Sequence, residues 1–455
     1  MKPKPKEVWW IRYRRRQKRR SVSFEMVFRR AFAETFREYV DNCSIAGVKQ
    51  MWDPKIGTLQ RLTWVVIFCI MLTSMVYYLH NIWYESLGKP LIVTMESSTY
   101  PISKIDFPAV ALCNINRISK KALINFSKGV HSFAKHNESL AEVYEFCSQL
   151  GRLIDYTYNA SLRNHPLMAS FNAYMNSSRQ IINVMKMLAP SCDEQLLMCY
   201  WAGKLVDCKT AFSVRRTPHG HCCVFNYILA YDSADKPDQT LDNAKKQSQA
   251  GLYNGLALVV NPMVEDYHYR IYNMMGFEIL LFDPTHFPDP SGGRVIQRSA
   301  QPDQVVMIKV TSTKQIATTE VRKYPQTTRK CLFHDERQKK FSNMYSYSAC
   351  IVSCRIRTIQ SLCKCTPFYL PVLLKQKRVC SYDDLKCLNK YKEKFFYLYP
   401  MGSTDVSGLE IELVDSLLCP DCLPDCEHTQ HFTEHLKLPL TKQQHKRKHL
   451  PAYFL

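Results

Sequence analysis

The side chains best able to do covalent chemistry in this 455-residue chain are its 19 cysteines, ten of which fall between Cys331 and Cys426. A thiol can ligate a metal, act as a nucleophile or close a disulfide, and spacing helps to discriminate. Cys350 and Cys354 stand four apart in SNMYSYSACIVSCRIRTI, so on a helix both thiols project from one face. Cys363 and Cys365, two apart in SLCKC, share a face on an extended segment. Such pairs suit a ladder of bridges clamping a helix to later strands. Cys419-x-x-Cys422 also resembles half of a zinc site. Zinc sites bring two close pairs with nothing left over, however, and an even set of ten favours disulfides. Spacing alone selects none of the pairings.

Asn125, Asn137, Asn159 and Asn176 each head an Asn-x-Ser triplet, the acceptor for N-linked glycans in a secretory lumen; Asn42 heads a fifth. H-E-x-x-H, G-x-S-x-G and G-x-G-x-x-G are all absent, and the histidines of HTQH and TEHLK sit in a polar stretch. The expectation is a non-enzyme with no catalytic residue, no metal and no cofactor.

Disulfides and glycans need an oxidising compartment, and residues 62–79, LTWVVIFCIMLTSMVYYL, supply the element that puts them there. The stretch is uncharged. At about 1.5 Å per residue, a helix over 62–83 covers roughly the 30 Å of bilayer hydrocarbon. Trp64 at one end and Tyr77, Tyr78, Trp83 and Tyr84 at the other suit the two headgroup belts. Residues 1–61 hold 16 Lys and Arg against 6 Asp and Glu, and short basic flanks stay cytoplasmic. The N-terminus is therefore expected inside and the bulk of the chain outside the plasma membrane. Seventeen cysteines follow the span, whereas Cys43 and Cys69 are expected unbridged. The net charge of +21 is concentrated in part at RYRRRQKRR, residues 12–20. Beside a span this run contacts anionic lipid or fixes topology, and no nucleic-acid partner is expected.

Five regions follow: a basic cytoplasmic segment (1–61), a transmembrane helix (62–83), a large extracellular region (84–330), a cysteine-rich region (331–426) and a polar tail (427–455). Phe24, Phe28, Phe32 and Phe36, at steps of four, predict an amphipathic helix over 24–39, facing either the inner membrane surface or a neighbouring subunit. Val110, Ala111, Leu112 and Cys113 after Pro108 read as a buried strand. Residues 118–190, with AEVYEF and SRQIINVMKML, read as helical. NGLALVVNP, GFEILLFDP and QVVMIKVTST return to strand, so the fold class is α+β.

These residues together resemble the degenerin and epithelial sodium channel superfamily, in particular its insect pickpocket branch. The likeness is carried by the span, by Phe107, Pro108, Ala109, Val110, Cys113 and Asn114 in FPAVALCN, by GHCCVFN, by the NGL and GFE strands, and by CKCTPFYLP. It implies a subunit of a voltage-independent, amiloride-sensitive sodium channel, assembled with homologous subunits as a homo- or hetero-trimer. It also implies a β-sheet palm, a helical finger and a disulfide-laddered thumb. Family pairing, mapped in order, gives Cys331–Cys426, Cys350–Cys422, Cys354–Cys419, Cys363–Cys387, Cys365–Cys380, Cys113–Cys222 and Cys192–Cys199, leaving Cys147, Cys208 and Cys223. In this architecture acidic residues such as Asp283 and Asp289 are candidate proton sensors.

Two departures stand out. The gating motif ahead of the first span is His-Gly in the family and Ala46-Gly47 here. After Cys426 the residues to Leu455 hold no apolar stretch long enough to cross a bilayer, where the family places a second, pore-lining span. The leading expectation is a sodium channel subunit in a truncated isoform or an incomplete gene product. The alternative is a single-pass, non-conducting regulator or ligand-binding membrane protein.

Overall fold

In a computed structural model of the chain, the described residues are 24–45, 47–88, 91–134, 139–163, 165–178, 180–229, 243–251, 254–292, 294–336, 344–371, 378–400 and 405–440. Two units separate at residue 92. The basic run at 12–20, Ala46, Asn137 and the last fifteen residues lie outside the described residues.

The first unit holds α1 (Phe24–Asn42), α2 (Val48–Trp52) and α3 (Thr58–Gly88). Helix α3 has 31 residues, about 46 Å at the rise of an α-helix, and so outruns both ends of the expected span. Leu62, Ile70, Met75 and Ile82 are each more than half exposed, and no residue of α3 is buried. A helix this apolar on all sides is built for lipid. At its start the Arg61 guanidinium donates to the Asp53 carbonyl at 2.6 Å. Gly47 has φ of 96°, and a Cβ there would stand 3.0 Å from the Trp64 ring. Gly47 is therefore required both by its backbone and by the indole packed on it.

The second unit is organised around β1 (Ala109–Asn114), every residue of which is buried. With β5 (Phe212–Thr217), β6 (Gly220–Phe225), β9 (Phe277–Phe282) and β10 (Ile296–Ala300) it forms a five-stranded antiparallel sheet in the order β10-β9-β1-β6-β5. Both faces of the central strand are covered. Ala109, Ala111 and Cys113 pack with Val224, Leu280 and Phe282 on one side. Val110 and Leu112 pack with Phe225, Phe277 and Leu281 on the other. This explains the unbroken apolar run in FPAVALCN. Smaller sheets pair β2 (Asn116–Ser119) with β8 (Tyr267–Arg270), and β3 (Leu196–Trp201) with β4 (Lys204–Val206) and β7 (Leu256–Val260).

Helices α4 (Lys120–Ala134), α5 (Leu140–Ser148), α6 (Leu167–Met175) and α7 (Gln180–Leu188) bear out the helical reading of this stretch. A capping box starts α5: Ser139 Oγ accepts from the Glu142 amide, and Glu142 accepts from the Ser139 amide. Their apolar stripes share one core with α8 (Tyr347–Cys363), where Phe126, Phe146 and Phe171 join Val352, Ile356 and Ile359.

Eight disulfides close the second unit. Five tie α8 and its flanks: Cys331–Cys426, Cys350–Cys422, Cys354–Cys419, Cys363–Cys387 and Cys365–Cys380. Cys113–Cys222 joins directly opposed residues of β1 and β6, with Cα atoms 4.6 Å apart. The expected Cys192–Cys199 bridge is corrected: Cys192 bonds Cys223, and Cys199 bonds Cys208. The cause is strand periodicity, because Cys222 and Cys223 are consecutive on β6 and point to opposite faces. Cys222 meets Cys113 on one face, so Cys223 meets Cys192 on the other. Cys199 is then free to reach Cys208. Cys363 and Cys365 do not share an extended segment either; Cys363 ends α8 and Lys364, at φ 57°, turns the chain between them. Cys43, Cys69 and Cys147 carry free thiols.

The polar tail after Cys426 is likewise corrected. His428–Pro439 is a strand, β12, paired with β11 (Gln304–Gln315) through twelve antiparallel positions, from Gln304↔Pro439 to Gln315↔His428. Its partner lies over a hundred residues upstream. Its outward positions, such as Gln430 and Glu434, are polar enough to pass for loop.

Candidate functional site at the sheet–ladder junction

Leaving β9, the chain runs through Asp-Pro-Thr-His-Phe-Pro-Asp-Pro, and residues 283–289 are all buried. A buried loop must pair its polar groups inside the protein, and here the pairing ties three elements together. Asp283 Oδ1 accepts from the Thr285 amide at 2.9 Å and its hydroxyl at 2.6 Å, closing a tight turn. The Pro284 carbonyl accepts from the Ile228 and Leu229 amides beyond β6. The Phe287 amide donates to Ser348 Oγ of α8 at 2.7 Å. Asp289 pairs with Arg355 of α8, and Arg355 also donates to Ser291 Oγ at 2.8 Å. Arg355 is wholly buried. Burial lowers its pKa, but Asp289 outweighs that and holds it above the usual guanidinium value.

The third element is the segment leading into β12. Asp425, 3 % exposed, accepts from Arg294 at 2.9 Å and from the Tyr347 amide at 2.8 Å, and lies 3.4 Å from His286 Nε2. Burial raises the Asp425 pKa, but the His286 hydrogen bond and the charge of Arg294 bring it below the ordinary carboxylate value. Asp283 behaves alike: burial raises it, and His286 with the Thr285 hydrogen bonds lowers it further than that. It therefore stays ionised through mild acid, which argues against it as a proton sensor. His428 and His431 on β12 are lowered mainly by burial, and His431 Nδ1 pairs with Ser312 Oγ at 2.7 Å. A second buried contact lies behind Arg355, where the hydroxyls of Tyr156 and Tyr369 meet at 2.6 Å.

The residues singled out in the sequence fall in two groups. Phe107 packs edge-on against Trp201 and Phe225, at 4.7 and 6.0 Å, and Asn114 Nδ2 donates to the Pro262 carbonyl at 2.9 Å. These brace the sheet and do not meet the junction. Asn125 and Asn176 are exposed, and Asn159 is half-buried with its Oδ1 accepting from Ser161. His286, Arg294, Arg355 and Asp425 escaped the sequence reading. The usable signal was a loop whose polar residues are caged by three prolines after an apolar strand. Among the described residues, Cys365, Cys380 and Asp384 alone approach metal-ligand geometry. Both sulfurs are spent in one disulfide and Asp384 is held by Arg378 at 2.6 and 2.8 Å, so no thiolate remains for a metal.

What this arrangement can do is mechanical: one buried loop couples sheet, laddered helix and β12. Residues 39–451 match the profile of the family described as amiloride-sensitive sodium channel. The chain belongs to the amiloride-sensitive sodium channel family. Members of that family are membrane-bound ion channels built from several subunits, not enzymes. Pickpocket protein 28 of Drosophila melanogaster is 22 % identical over 419 residues, covering 85 % of this chain and 62 % of its own. Sodium channel protein Nach of Drosophila ananassae is 22 % identical over 358 residues, 78 % of this chain and 66 % of its own. The bile acid-sensitive ion channel of Mus musculus is 24 % identical over 283 residues, 59 % of this chain and 48 % of its own. The chain thus spans less than two thirds of the length of these relatives. In the family's terms the five-stranded sheet is the palm, α4–α7 the finger and the cysteine ladder the thumb.

Proposed function

We propose that this chain is a subunit of a voltage-independent, amiloride-sensitive sodium channel of the plasma membrane, gated through its extracellular domain. It assembles with homologous subunits, as a homo- or hetero-trimer, with the N-terminus cytoplasmic. Supporting the topology are the basic flank before α3, and four of the five sequons and all bonded cysteines after it. The observation that carries the gating role is the buried loop at 283–291. A stimulus that shifts thumb against palm loads Asp289–Arg355 and Phe287–Ser348, along with the Arg216 contacts to the Phe368 and Leu370 carbonyls. It then reaches β12 through His286 and Arg294 on Asp425. A sodium path further requires a lined constriction. Among the described residues α3 is the one helix able to span a bilayer, and its faces are apolar. The described residues alone therefore supply no polar path through hydrocarbon.

The test is current recording in oocytes expressing residues 1–455 alone, a full-length pickpocket-type subunit alone, and both. The expected result is no amiloride-sensitive current from the chain alone and an altered sodium selectivity or amiloride sensitivity when both are present, with the two co-purifying. Altered current with unchanged sodium selectivity and amiloride block would favour the regulator reading, in which the chain modulates without lining the pore. Failure to co-purify, with currents unchanged, would refute both.

A further inference from the structure

Helix α1 leaves Phe24, Phe28 and Phe32 bare, at 85, 60 and 63 % exposure. Their rings stack in file, with centroids 6.2 and 6.3 Å apart, and the file continues 6.1 Å on to Phe36. Phe36 in turn meets Trp52 of α2 edge-on at 5.1 Å. Tyr39 extends the same face, while Arg30, Glu34 and Arg37 occupy the opposite one. Aromatic surface of this extent does not stay in water.

The covering surface is identified by what the row is attached to. Trp52 ends α2, and Gly47, just before α2, lies against the Trp64 ring near the start of the membrane-spanning helix. The aromatic file is thus continuous with the end of the span, where the bilayer meets water. Directly ahead of α1 lies RYRRRQKRR, seven positive charges in nine residues. That run complements anionic headgroups, whereas the acids of α1 are in part engaged within the helix, Glu25 by Arg29 and Glu34 by Arg30. We propose that α1 lies in the plane of an anionic bilayer surface at the N-terminal end of α3, with Phe24, Phe28 and Phe32 inserted at the acyl-chain boundary. This goes beyond the channel reading and depends on it only in taking α3 as a span.

The experiment uses the full chain with Cys43→Ser and Cys69→Ser, neither cysteine being bridged. Burial raises the pKa of the remaining free thiol, Cys147, to about 12, so it resists labelling. A nitroxide is attached in turn at Phe28→Cys, Phe32→Cys, Arg30→Cys and Arg37→Cys in nanodiscs of phosphatidylcholine with phosphatidylserine. Each variant keeps at least three of the four phenylalanines. Labels at 28 and 32 should be severalfold more accessible to oxygen than to a water-soluble nickel chelate, and labels at 30 and 37 should show the reverse. In phosphatidylcholine alone the contrast should shrink. Labels at 28 and 32 shielded from both reagents would mean a protein neighbour covers the row, and equal nickel access at all four would mean nothing does. Either outcome overturns the proposal, as would an undiminished contrast without anionic lipid.

Discussion

Acid should weaken the second unit in part through one imidazole on the five-stranded sheet. His221 lies on β6 with its ring stacked 6.0 Å from Phe368. Burial, then the charges of Arg216 and Lys186, push its pKa from 6.5 down to about 4. An unfolded chain would protonate this histidine near its ordinary value, so the unfolded state binds the extra proton between pH 6.5 and 4. Because the folded value is the depressed one, the contribution is fully present above 6.5 and is lost as pH falls toward 4. At about 1.4 kcal/mol per tenfold change in proton activity, the whole gap is worth about 3 kcal/mol. The ring keeps some solvent contact, so about 2 kcal/mol is the more realistic loss. His221→Phe preserves the stack on Phe368 and removes the titration. Thermal unfolding of the detergent-solubilised chain, followed at intervals from pH 7.5 to pH 4, should then fall less steeply in the variant. His428 and His431 titrate in both proteins and cancel in the difference. Parallel curves for parent and variant would refute the reasoning.

Peptide mapping without reduction should recover Cys192 linked to Cys223 and Cys199 linked to Cys208; a Cys192–Cys199 peptide would return the pairing to the family order. Glycosidase treatment of protein from a secretory host should lower the apparent mass. Changing Asn125, Asn137, Asn159 and Asn176 to Gln should abolish that shift while Asn42→Gln leaves it intact, and sugar on Asn42 alone would invert the topology. Gly276 sits at φ of 115° with the Ala300 carbonyl oxygen 2.0 Å from where a Cβ would go. Gly276→Ala should therefore cost on the order of 2 kcal/mol or more in thermal stability, and a neutral result would mean the β9–β10 edge yields more easily than its backbone contacts imply.

Elements whose reason is local were readable in advance. The apolar run of β1 and the four-residue spacing of Cys350 and Cys354 each encode their own geometry, and both are as the residues imply. Partner-dependent features were not readable. HTQHFTEHLKLP becomes β12 only because β11 offers an edge, and nothing within the segment announces it. His286 and Asp425 look like surface residues until tertiary packing closes over them 139 positions apart. The Cys192 error was of another kind, because the two-residue period of a strand already forbids Cys222 and Cys223 a common partner face. Following the family's order of cysteines hid a constraint that the neighbouring residues carried.

The eight disulfides sort by region: three lie within residues 113–223 and five within 331–426, and none runs from one set to the other. The second unit is therefore two disulfide-caged bodies joined by the backbone that runs between them and by non-covalent packing, the apolar core shared by α4–α7 and α8 included. Hydrogen bonds and ion pairs of the Asp289–Arg355 and Asp425–Arg294 kind contribute on the order of 1 to 3 kcal/mol each. Strain applied to such an object concentrates at the seam, because each cage is stiffer than the joint between them. A ligand, a proton or a shearing force has to overcome those polar contacts together with the apolar packing of α8 on α4–α7, while reducing agents attack the cages and leave the seam's own contacts chemically untouched.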